Sequence, residues 1–117
     1  MYQIMKMYIA VLDQVPDHMV PVLVAHAVLG AHRIFSWPKV YDKSFIDYTN
    51  WYDNSFKKCV LKVNKKEFNK IVELDNVFLA HESTTLSGIK SCAVLCPRDE
   101  WPNVVKFAKL WTPKIET

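Results

Sequence analysis

Glycine is nearly missing from this sequence: only Gly30 and Gly88 occur in 117 residues. So small a supply excludes a glycine-rich loop for cradling phosphates, and it excludes flexible low-complexity tracts. Cysteine is scarce and odd in number, with Cys59, Cys92 and Cys96. If Cys92 and Cys96 share a strand, their α-carbons stand roughly 13 Å apart, beyond the reach of a disulfide. Buried thiols in a reducing compartment are therefore expected. His18, His26, His32 and His81 show no metal-site spacing with the cysteines, so neither a zinc site nor any other metal or cofactor is predicted. Signal-peptide and membrane signals are lacking too. The N-terminal apolar run Met7–Leu12 closes at Asp13 without a cleavage-like site, and the longest apolar helix, interrupted by His26 and His32, reads as too short to span a bilayer. A soluble, cytoplasmic protein is the default expectation.

What remains is an ordinary globular composition, half hydrophobic, with a net charge of +3 and a pI near 8.7. That length supports one domain over 1–117 with a sizeable core. The mild basicity permits an anionic partner such as RNA, while falling short of the pI above about 9 that indicates nucleic acid by itself.

Met5–Leu12 reads as a first strand, apolar on both faces and hence central in a sheet. A helix follows from His18 to about Ile34, so apolar that it is expected to be well buried, with His26 and Arg33 on one face. Residues 35–56 hold eight of the fifteen aromatics. Tyr41, Phe45, Tyr48 and Tyr52 recur at helical spacing, which predicts an amphipathic insertion packed on the core, the sharper alternative being a partner surface. Lys57–Val63 is a second strand, and Asn64 caps a helix that turns Phe68, Ile71 and Val72 inward. Val77–Ala80 and Cys92–Cys96 are the third and fourth strands. Asp99 or Glu100 then opens a last helix, with Trp101, Val104, Val105, Ala108 and Trp111 on its inner face. The order β-α-β-α-β-β-α predicts an α/β fold, a three-layer α/β/α sandwich around a four-stranded mixed sheet.

Between the last two strands the connection carries His81, Glu82, Ser83, Thr84, Thr85, Ser87, Lys90 and Ser91 in place of the usual turn residues. An imidazole, a carboxylate, a cation and several hydroxyls displayed at a sheet end suit hydrolytic chemistry.

KKCVLKV followed by a helix, VFLAHESTTLSGIKSCAVL and the closing KFAKLW together resemble the archaeal and eukaryotic class of peptidyl-tRNA hydrolase. The resemblance covers most of the chain outside the aromatic insertion. It places Glu82 on the family's aspartate, Thr85 on its first threonine, Ser91 near its later hydroxyl and, through VAHAVLGAH, His26 on its histidine. It further implies a homodimer and a tRNA substrate. The segment PDHMVPVL holds neither the family's lysine nor its glutamine, and there the chain is closer to a related uncharacterised family of the same fold.

Cleaving the ester between a peptide and tRNA requires an activated water, a stabilised oxyanion and cationic help with phosphates. Glu82 is the candidate to orient or deprotonate water, and Thr85 or Ser91 to hydrogen-bond the oxyanion. His26 would hold Glu82 or act as the acid. Lys90 would replace the missing cation, and Thr84 and Asp13 complete the substrate-binding set. Against each stands a plainer role: a solvated carboxylate, locally satisfied threonines, a core histidine. For the basic run Lys57, Lys58, Lys62, Lys65, Lys66 and Lys70 the plainer role is a solvated face. The competing function is a non-catalytic module that binds RNA, or a protein through the aromatic insertion.

Overall fold

A computed structural model describes residues 5–37, 42–82 and 89–114, with the side chains of 81, 82, 89 and 90 outside that description. Five strands form one sheet: β1 (Lys6–Leu12), β2 (Lys57–Val63), β3 (Val77–Glu82), β4 (Ile89–Leu95) and β5 (Lys109–Leu110), in the order β3-β4-β1-β2-β5. β1 pairs in parallel with β2, from Lys6↔Lys57 to Leu12↔Val63. All the other pairings are antiparallel. The α/β class and the mixed sheet hold. The expected four-stranded, three-layer β-α-β-α-β-β-α order does not, because the last helix is largely replaced by an edge strand.

β1 is central as its pattern requires, since both of its faces are covered. Met7, Ile9 and Val11 face a cluster with α1 (Val20–Phe35) and α2 (Lys43–Asn54). Ala10 faces the other cluster, with Phe68 and Ile71 of α3 (Lys65–Val72) and Val105 of α4 (Asn103–Lys106). The N-terminus of α3 is fixed by a capping box. The Asn64 side chain accepts from Glu67 N at 2.8 Å and Glu67 Oε1 accepts from Asn64 N at 2.9 Å, satisfying two otherwise orphaned donors.

α1 meets the sheet through Val20, Leu23, Ala27, Ala31 and Phe35, a stripe at spacings of three and four whose alanines allow close approach. Gly30 completes that approach: a β-carbon added there would lie 2.7 Å from the Phe78 ring. The helix is nonetheless not well buried, contrary to its composition. Leu29 is 72% and Val22 59% exposed, because only one stripe finds a sheet to cover. Asp17–Phe35, which includes the 3-10 turn Asp17–Met19, is also long and apolar enough to cross a bilayer by length and composition, contrary to the expectation from its sequence. Here its inner stripe is committed to β3 and β4.

In the insertion, Asp42 caps α2 by accepting from Ser44 N at 2.8 Å. Of the proposed stripe, Tyr48 is buried and Tyr52 is 49% exposed, while Tyr41 lies outside the described residues. Trp51, 1% exposed, takes the central place, and its indole donates to Lys57 O at 2.8 Å. α2 thus packs on the core, as the plainer reading expects.

The C-terminal segment differs most from expectation. Pro102 caps a single helical turn, and after Lys106 the chain leaves the helix and pairs Leu61↔Leu110 and Lys62↔Lys109 along the open side of β2. Trp111 N donates to Val60 O at 2.8 Å. Val104, Val105 and Ala108 stay with the α3 cluster while Trp111 joins the α1 cluster, so the segment wraps around the sheet edge. Edge pairing satisfies backbone groups of β2 that a longer helix would leave exposed.

Candidate functional site

β1, β3 and β4 meet at one end of the sheet. β1 runs out at Leu12, β3 at Glu82, and β4 enters at Ile89, with Val11 and Ala80 both paired to Cys92. The backbone therefore gathers Asp13, Glu82, Lys90 and Ser91 at this end. Asp13 N donates to Val63 O at 2.8 Å, which carries the ladder one residue further and leaves the side chain exposed. Thr84 and Thr85 lie outside the described residues, as do the side chains of Glu82 and Lys90.

Ser91 is the extra residue of a bulge, since Ala80 pairs with Cys92 and His81 with Lys90. It is 1% exposed, and its hydroxyl hydrogen-bonds with the Cys92 thiol. A buried hydroxyl satisfied in this way supports the strand from beneath. His26 sits about 9 Å along α1 from its start, on the solvent side rather than the side that packs on the sheet. There it lines an open cleft with Leu29, Arg33 and Trp37. The expected site is thus gathered in part: three of its residues share a sheet end, a fourth is sealed, and His26 lies on the outside of the covering helix.

Burial raises the Cys92 thiol to about 11 and the Cys96 thiol to about 12, so neither is a thiolate nucleophile near neutral pH. Tyr48 is likewise pushed up to about 12, chiefly by burial. Its hydroxyl lies 2.8 Å from His32 Nδ1, joining α1 to α2. Among the described residues no cluster of three potential metal ligands occurs.

A second feature emerges only from the strand order. Residues 57–72 carry six lysines and one glutamate, and residues 103–110 carry two lysines and no acid, so together they hold a net +7 in a chain of net +3, leaving −4 on the rest. The β2–β5 pairing and the packing of α3 with α4 bring both segments to one flank. Aromatic rings are interleaved with these cations. Lys58 Nζ lies 3.3 Å from the Phe56 ring centroid and Lys62 Nζ 5.5 Å from that of Trp111. Phe56 is half exposed at a left-handed φ of 65°, a costly conformation for a bulky side chain. The basic run was visible in the sequence, but nothing there set Lys106 and Lys109 beside it.

Compared with protein-family models and with curated proteins, the sequence matches none.

Proposed function

We propose that this chain is a peptidyl-tRNA hydrolase-like protein that holds tRNA across its lysine-rich β2–β5 flank and hydrolyses the ester between a peptide or acyl-aminoacyl group and the tRNA at the β1/β3/β4 end. The observation that carries the reading is the segregation of charge, +7 on two segments that adjoin in space against −4 elsewhere. A cationic surface with interleaved aromatics suits a phosphate backbone and unstacked bases. The ester step rests on the resemblance and on the shared sheet end of Asp13, Glu82 and Lys90. Glu82 orients the attacking water, and Thr85 is the hydroxyl left to meet the oxyanion once Ser91 is counted as buried.

Incubation with N-acetylaminoacyl-tRNA tests this directly. Release of the acyl-amino acid is expected, falling roughly 100-fold or more in Glu82→Gln, with tRNA binding retained. No release, or the same rate in Glu82→Gln and Thr85→Ala, overturns the hydrolase. The solvent-side position of His26 and the sealed Ser91 favour a second reading, an RNA-binding module without catalysis. That reading is upheld if tRNA binds and weakens in Lys65→Gln/Lys66→Gln/Lys109→Gln while the ester stays intact.

A further inference from the structure

The opposite end of the sheet, where β1 begins and β4 ends, holds a cavity of about 640 Å³. Seven residues of β1 at about 3.3 Å each separate it from the Asp13 end by more than 20 Å. Its walls include Lys6, Tyr8, Arg98, Trp101 and Lys106, with Glu100 among them. Asp99 lies on the rim but is engaged by Lys43 Nζ at 3.0 Å.

Three observations point to an anion as its ligand. First, Lys6 and Lys57 are directly paired across the parallel β1–β2 ladder, so their side chains leave the same face. Lys57 is exposed and outside the cavity wall, whereas Lys6 lines it, and among the described residues neither lysine has a carboxylate within ion-pair distance. Lys6 is moreover only partly exposed.

Second, among the described residues Arg98 has no carboxylate within ion-pair distance, and the Asp75 and Asp47 carboxylates favour its charge only from further away. Its Nε donates to Cys96 O at 3.1 Å, and Nη2 donates to Asp75 O at 2.7 Å and to Asn76 O at 3.3 Å. These main-chain acceptors hold the guanidinium in place without cancelling its charge. Its other terminal nitrogen donates to none of the described residues. Burial lowers the guanidinium below its ordinary value, a measure of how far it is removed from water.

Third, the floor is preorganised. Trp101 is gripped by Arg98 over its ring at 5.1 Å and by Tyr8 edge-on at 4.8 Å, so the cationic wall is fixed before any ligand arrives.

We propose that this cavity is a phosphate site, binding the terminal phosphate of a nucleotide or of an RNA strand. Lys6 and Lys106 contribute mobile charge and Arg98 contributes a fixed planar donor, a combination that suits a tetrahedral dianion better than a carboxylate. Glu100 on the wall opposes any anion, so Lys6, Arg98 and Lys106 together must outweigh it. The site is separate from the ester chemistry proposed above and stands without it.

Backbone amide shifts measured by NMR on the whole chain, during titration with inorganic phosphate, 5′-AMP and a 5′-phosphorylated RNA hexamer, test the proposal. Saturable shifts at Lys6, Tyr8, Trp101 and Lys106 are expected, weakened at least about fivefold by Lys6→Gln and by Lys106→Gln with the thermal midpoint unchanged. If the phosphorylated hexamer binds these residues more tightly than 5′-AMP, the phosphate comes from RNA. Equal or tighter binding of 5′-AMP makes it a free nucleotide. The site is overturned if none of the three probes saturates these shifts by about 10 mM, or if the shifts survive both substitutions. It is also overturned if a hexamer with a 5′-hydroxyl binds there as well as the phosphorylated one.

Discussion

The polar residues that invite a catalytic role have been divided by burial. Ser91 and the Cys92 and Cys96 thiols are withdrawn from solvent in β4 or just beyond it, and their chemistry is suppressed accordingly. Each thiol holds its proton more tightly folded than unfolded, at about 11 and about 12 against an ordinary 9.0. Between those values the unfolded chain binds fewer protons, so stability is full below about pH 9 and falls continuously as pH rises through the folded values. Unfolding followed by circular dichroism from pH 8 to 11 is expected to show that decline. A thiol reagent at pH 8 is expected to label the partly exposed Cys59 first and the other two only at the rate of unfolding. Rapid labelling of all three would contradict the burial account. The sequence showed which residues have reactive atoms, whereas their access to water depends on neighbours contributed by α1 and β1.

At the scale of elements, local chemistry was legible wherever it was self-contained. Asn64 and Glu67 specify the start of α3 between themselves, and the near-continuous apolar run of β1 declares two covered faces. α1 is a different case, since its composition is apolar all round and only packing decides which stripe is buried. The single stripe that packs depends on Gly30 lying against Phe78. Gly30→Ala is expected to destabilise the chain by about 1–3 kcal/mol despite its better helix propensity, read as a lower denaturation midpoint. Pairing it with Phe78→Leu should return part of the loss. A neutral or stabilising Gly30→Ala would mean that α1 sits further from the sheet. The last helix stops short of its sequence pattern for a related reason. The apolar period from Trp101 to Trp111 is genuine, but Trp101 and Trp111 serve opposite faces of the sheet. The open edge of β2 competed successfully for Lys109 and Leu110.

Over the whole molecule, charge is sorted by topology. With β2 and β5 together at one edge, most lysines fall on a single flank, and RNA held there should bind with strong salt dependence. The slope of log K against log salt is expected to lose about 0.7–0.9 for each phosphate-contacting lysine removed. Filter binding across a salt series for Lys65→Gln, Lys66→Gln and Lys109→Gln measures it, and an unchanged slope in all three would place the RNA elsewhere.

The sequence by itself determined the α/β class, the existence and order of the first four strands, the capped start of α3 and the lack of any disulfide framework. Each follows from interactions between residues a few positions apart or from composition. The sequence nevertheless placed His81, Glu82, Lys90 and Ser91 in a connection, where β3 runs to Glu82 and β4 starts at Ile89. Only the tertiary structure decided that β5 closes the edge, that His26 faces outward while Ser91 is sealed, and that Lys6 stands beside Lys57 and Lys106 beside Arg98. The strand neighbours among them come from pairings between residues about 50 positions apart and the rest from packing against those strands, chosen by competition for sheet edges and buried area, and no local pattern records which competitor wins.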